Sequence, residues 1–268
     1  MRLLRDAGVR GIRWKDTLHL TRREIVYEMF ITSPWIALEF VAWHLAQAAH
    51  WAFAAPALAA AFFFFLTGLR QTHNTFHYTL GGPRWAAELI MVALSGLMMS
   101  SMHAIQIAHL HHHKHCLDEE DYEGSAARMS AWRAICFGPV FAFRLHAESW
   151  HLARPRARRW ILLEGGLALG MLVWALAGAP FAIQAHVFAM LLGQCMTGFF
   201  AVWTVHHDCD RDGVFARTQR GWLKNLVSYD MLYHLEHHLF PAVPTRHLPE
   251  IAKRLDAVRP DIREQQVY

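Results

Sequence analysis

Long apolar stretches separated by basic ones set the pattern of this chain. Lys and Arg are absent from residues 24–69, 85–113 and 161–210. A helix crosses the ~30 Å hydrocarbon core of a bilayer with about 20 apolar residues. The first stretch, of 46 residues, and the last, of 50, each have room for two crossings and a short turn. The pattern predicts four transmembrane helices, over residues 33–49, 52–69, 160–176 and 181–205. The second carries Phe62, Phe63, Phe64 and Phe65, with Pro56 in its opening turns, where proline is tolerated. Residues 177–180, Ala-Gly-Ala-Pro, make the turn between the last two.

Residues 85–102 are apolar enough to resemble a fifth span, but Ser95, Gly96, Ser100 and Ser101 weaken it. This segment is expected to lie in the interface, or to enter the membrane and return. The 26 basic residues fall in the N-terminal segment, between Arg70 and Arg159, or from Arg211 onward, and none lies in the turns near His50 and Pro180. Loops rich in Lys and Arg stay cytoplasmic. Both turns are therefore expected outside, with the termini and the middle region in the cytoplasm.

Histidine, with 20 residues, supplies the candidate chemistry. His73 and His77 form one cluster, His109, His112 and His113 a second, and His234, His237 and His238 a third. Residues three and four apart share a helix face, so each cluster converges. All three fall on the same predicted side of the membrane, although the histidines played no part in assigning it. Imidazole suits iron, zinc, copper and nickel. Eight imidazoles exceed one coordination sphere, which asks for two metals. Clusters can arise by chance in a histidine-rich chain, but the spacing His-x-x-His-His occurs twice, more than a hundred residues apart.

Gln71 to His77, His109 to His113, and the run from Tyr233 through His238 to Pro244 together resemble the three histidine boxes of the membrane fatty acid desaturase family, whose wider superfamily includes lipid hydroxylases and carotenoid hydroxylases and ketolases. The resemblance covers roughly residues 66–255. It implies an all-α integral membrane protein, with four transmembrane helices and a cytosolic helical cap holding two irons that activate O2. It also implies one further ligand from the end of the last span, where His206 and His207 stand. Only one of these neighbours can face the site, and the family's usual placement favours His207. Asn74 departs from the acid often found after the first histidine of box 1.

Metal-bound histidines usually hand their other N–H to a carboxylate or carbonyl. Asp118, Asp121, Asp208, Asp230 and Glu236 are the candidates. His111 and His115 fall on the opposite face from box 2, and His19, His44, His50, His103, His146, His151, His186 and His247 are left unassigned.

One domain is expected over 1–268. It comprises a basic interfacial segment (1–30), spans one and two (33–69), boxes 1 and 2 (70–159), spans three and four (160–205), and box 3 with the cap (206–268). Trp14, Leu18 and Leu20 of the first segment are expected to face lipid. That segment lacks the apolar core of a signal peptide. Cys116, Cys136, Cys195 and Cys209 show no framework spacing and are expected reduced. The net charge of +4 suits anionic lipid; nucleic acid is not an expected partner, for lack of a recognition motif.

The reading is an O2-dependent di-iron oxidoreductase acting on lipid C–H bonds. An acyl-chain desaturase comes first; a hydroxylase or ketolase of lipids, head groups or carotenoids is the alternative. A ferredoxin or small cytochrome with its reductase would supply electrons, docking near Arg154, Arg156, Arg158 and Arg159. A metal transporter would place its ligands mid-membrane; these clusters sit at the ends of spans.

Overall fold

The computed structural model describes residues 2–264, which are helical with no strand. Four helices are long and apolar enough to cross a membrane: Arg22–Ala48, Trp51–Phe76, Pro155–Leu176 and Phe181–His206. The first is α1 (Arg22–Phe30) running into α2 (Ser33–Ala48) across a short break. The second is mostly α3 (Ala54–Phe76). Two shorter helices follow, α4 (Arg84–Leu97) and α5 (Met102–His115), and then α6 (Gly138–Leu152). The last two spans are α7 (Pro155–Leu176) and α8 (Phe181–Thr197), the latter continued by a π-helical turn, Gly198–Trp203, and a final turn, Thr204–His206. Two C-terminal helices are α9 (His234–Leu239) and α10 (Leu248–Val258).

Small residues let the spans approach one another, as membrane helices require. Ala42, Ala46 and Ala57 pack around Trp43 between α2 and α3. A Cβ on Gly68 would lie 2.6 Å from Met98 Sδ, so glycine is what lets α3 meet the tip of the α4–α5 pair. The outer faces carry Leu162, Leu169, Val173, Phe188 and Leu192, exposed as lipid-facing side chains are.

The α4–α5 pair is bent by 112°. His77 just before it and His109 within it have Nε2 atoms 3.1 Å apart. The chain must therefore enter and come back rather than cross, in accord with the expectation for residues 85–102. Turning there breaks the helical hydrogen-bond ladder, and lipid offers no replacement partners. The bundle supplies them. Leu97 O accepts from His186 Nε2 at 2.9 Å and Met98 O from Gln194 at 2.8 Å. Met102 N donates to Ser95 Oγ, Ser101 N to His146, and His103 N to Glu164. Met99 takes a positive φ of 57° at the bend. His186 is itself gripped by Glu39 at 3.0 Å, both fully buried. Two histidines that the sequence left unassigned, His186 and His146, thus help hold the turn of this hairpin.

A second core joins the two ends of the chain. Leu3, Val9 and Ile12 pack with Phe215, Leu235, Phe240, Leu248, Ile251, Leu255 and Ile262. Trp14 and Leu18 join this core, which corrects the expectation that they face lipid. An amphipathic segment buries its apolar face against whichever apolar partner is nearest, and α10 presents one. Arg254 to Asp16 at 2.8 Å and Arg259 to Asp6 at 3.2 Å close the rim.

Candidate metal centre

Box 1 lies where α3 ends, box 2 on the last turns of α5, and box 3 on the short α9, anchored to the second core by Leu235. The fold brings all eight box histidines together, six of them buried and His77 and His113 half-buried. They divide into two sets. In the first, His109 Nε2 lies 3.1 Å from His77 Nε2 and 3.0 Å from His113 Nε2, and His113 Nε2 lies 2.8 Å from His237 Nε2. His73 completes this set, its ring 4.0 Å from that of His237 and both its nitrogens buried without a hydrogen-bond partner. In the second set, His234 Nε2 lies 3.1 Å from His238 Nε2. His112 joins it, its ring 5.0 Å from that of His238. The His113 and His238 rings, 4.3 Å apart, mark the seam between the sets.

The ninth imidazole is His206. Its Nε2 lies 3.0 Å from His112 Nε2 and 2.9 Å from His234 Nε2. The fold thus brings His206 to the sets, where the sequence led us to expect His207. The π turn Gly198–Trp203 resets the facing of the residues after it, since each wider turn rotates the next stretch of helix. The helix then ends at His206, and His207 has extended backbone (φ −67°, ψ 146°). Its ring turns away, stacks on Trp203 at 3.8 Å and meets Arg217.

Protonation decides what these nitrogens can do. His206 Nδ1 lies 2.9 Å from Phe215 O, a pure acceptor, so Nδ1 carries the proton and Nε2 a lone pair. His112 Nδ1 lies 2.8 Å from the Asp121 carboxylate, so Nδ1 carries a proton, and that carboxylate also favours a second proton on Nε2 while no metal is bound. The two Nε2 atoms face each other at 3.0 Å, close enough to share a proton or, in its place, a metal cation. Burial, and then the neighbouring imidazoles, hold His234, His237 and His238 well below the usual histidine range, and push His77 down to about 3. For these four the ligating form, neutral imidazole, is the one favoured.

Asp121 is the one anticipated carboxylate found on a box histidine. Its buried carboxylate also accepts from Leu117 N and Gly124 N, each at 2.8 Å. The other four serve elsewhere. Asp118 pairs with His115 at 3.1 Å and Arg211 at 2.8 Å. Asp208 is exposed beside His207. Asp230 lines a groove with Arg70 and Arg246. Glu236 lies between Thr218 and Arg220, both at 2.6 Å, and fixes α9 from behind. The sequence reading missed Glu123, 3.3 Å from His109 Nδ1, which sits in a 3-10 turn with no periodic relation to the box. It also missed Cys116, buried four residues after His112, whose ligand atom falls within 4.8 Å of those of His112, His206 and His238. That i to i+4 spacing was visible.

The arrangement offers two nitrogen-rich sites side by side at one end of an apolar bundle, a donor set that suits iron, copper or zinc. The sequence model of the family described as fatty acid desaturase matches residues 49–266. The chain belongs to the fatty acid desaturase family. It is also similar to a β-carotene ketolase from Paracoccus sp. (strain N81106 / MBIC 01143), 27% identical over 253 residues that take in 88% of this chain and 95% of the relative. As a member of this family the protein is a membrane oxidoreductase.

Proposed function

We propose that the two histidine sets hold two irons and that the protein uses O2 to oxidise C–H bonds of an apolar lipid, with a carotenoid as the first substrate. The observation that carries the metal reading is the convergence of buried imidazole Nε2 atoms on one another at 2.8–3.1 Å, with both nitrogens of His73 buried among them and left without a hydrogen-bond partner. His73, His77, His109, His113 and His237 would hold one ion, and His112, His206, His234 and His238 the other. Bound iron supplies the redox chemistry that an unactivated C–H bond demands, since acid–base groups cannot break it. The chain's part is orientation: Asp121, Glu123 and the Phe215 carbonyl fix the tautomers of His112, His109 and His206, and the apolar bundle keeps bulk water away.

A carotenoid is favoured over an acyl chain because the similarity to the ketolase runs through nearly the whole of both proteins. The family description supports acyl-chain desaturation as the second reading. Expression in a host that accumulates β-carotene separates them. New keto or hydroxy carotenoids with unchanged fatty acids support the first; new double bonds in membrane acyl chains with unchanged pigment support the second.

The lack of Lys and Arg in the turns near His50 and Pro180 supports a cytoplasmic site. Electrons would then come from a ferredoxin or small cytochrome with its reductase. Arg154, Arg156 and Arg159, exposed at the start of α7, are a basic patch for it to dock on.

A further inference from the structure

Outside the two histidine sets, the opposite face of α5 carries a third group of ligand atoms. His111 and His115, one turn apart, stack with ring centroids 4.2 Å apart. Glu120, on the loop after α5, brings its carboxylate 3.3 Å from His115 Nδ1. One ligand atom from each of the three lies within 4.8 Å of the others. An edge of about 3.3 Å is what two ligands show when each binds a tetrahedral zinc at ~2.0–2.1 Å. His111 Nδ1 is buried and has no hydrogen-bond partner, an orphan that burial alone does not reward. Asp118 lies 3.1 Å from His115 Nδ1 and is already engaged by Arg211, which leaves Glu120, largely exposed, as the mobile carboxylate able to close on an ion from solvent.

We propose that His111, His115 and Glu120 form a third, solvent-reached site for a divalent transition cation, with zinc the best match to two imidazoles and a carboxylate. The site is separate from the two internal sets, and only its test draws on their holding iron. Its position gives it a role. The loop it would clamp runs directly into Asp121, the carboxylate that orients His112. An ion there ties that loop to α5 and stiffens the support of the internal site.

The test uses the purified, iron-loaded protein in detergent, dialysed against buffered free Zn2+, with zinc and iron counted per chain. The expected result is one zinc taken up with iron unchanged. That zinc is lost in His111→Gln and in His115→Gln, both chosen because glutamine keeps polarity and helix propensity, and uptake is weakened in Glu120→Gln. Lys114→Ala, on the same helix, keeps its zinc. Retained iron in the glutamine variants shows that they fold. Three results would overturn the proposal: no zinc uptake by the wild type, equal uptake in the His111→Gln/His115→Gln double variant, or zinc gained only as iron is lost, which would place it in the internal sets.

Discussion

Gly124→Ala probes the support of His112 without touching a ligand. A Cβ at this position would lie 2.8 Å from Asp121 Cγ, and closer still to its Oδ2. Carbon atoms pack at about 3.5–4.0 Å, so the carboxylate must retreat by roughly 0.7–1.2 Å. It cannot do so freely, being buried and held by His112 Nδ1, Leu117 N and Gly124 N, each at 2.8 Å. A retreat of that size breaks the bond to His112 and frees its ring to choose the other tautomer. Loss of such an orienting partner typically costs about 10–100-fold in metal affinity, or about 1.4–2.8 kcal/mol at 1.4 kcal/mol per tenfold. The stranded amide donors cost a further ~1–3 kcal/mol of fold stability. Iron release to a competing chelator measures the first and thermal melting of the metal-free protein the second. Asp121→Asn is the comparator. It is nearly isosteric but has one acceptor oxygen for three donors, and it should shift both readouts in the same direction. An alanine variant that holds iron as tightly as wild type would refute the claim that Asp121 orients His112.

His206→Ala should lower iron content and abolish turnover, whereas His207→Ala should keep its iron and lose its contact with Arg217 and its stacking on Trp203, the latter worth about 0.5–1.5 kcal/mol; the reverse pattern would place His207 at the site. The metal-free protein should melt at lower temperature as pH falls from about 7 to 5, because the unfolded chain takes up protons near the ordinary histidine value of ~6.5 while His77, His234, His237 and His238 resist them; a flat Tm over that range would contradict their depressed values. Glu39→Ala and His186→Ala should each destabilise strongly, by about 3–5 kcal/mol, with a double variant far from additive; additive losses would show that the pair does not act together. A reporter fused near Gly178 should read outside and one fused at the C-terminus inside; the opposite result would overturn the charge-based orientation.

The spans were legible in the sequence because crossing a bilayer imposes a length and an apolar composition that, in this chain, only the hairpin of residues 84–115 approaches. The boxes were legible because helix geometry converts i, i+3 and i+4 spacing into a shared face. The parts that escaped depend on backbone detail that composition does not encode. Choosing His206 over His207 needed the π turn at Gly198–Trp203 and the helix end just beyond it. Choosing Asp121 over Asp118 needed the path of a short loop in which both carboxylates are equally plausible on paper. Glu123 and the Phe215 carbonyl meet their histidines through tertiary contacts alone. Trp14 and Leu18 were read as lipid-facing because their partners lie some 230 residues further along the chain.

The re-entrant hairpin has a bearing on how the protein is made. Its turn is held by His186 and Gln194 of α8, by Glu164 of α7 and by His146 of α6. None of these has left the ribosome when α4 and α5 emerge. The hairpin therefore has no stable seat in the membrane at that moment, and its broken backbone would pay heavily in bare lipid. Insertion must proceed out of order: the first two spans enter, the hairpin waits at the surface, and the last two spans arrive and draw it in. Since both metal sets join α5 to segments made after it, the centre can be completed only once synthesis is nearly finished, and a chain stalled before α8 would carry five of its eight box histidines without the later residues that complete either set.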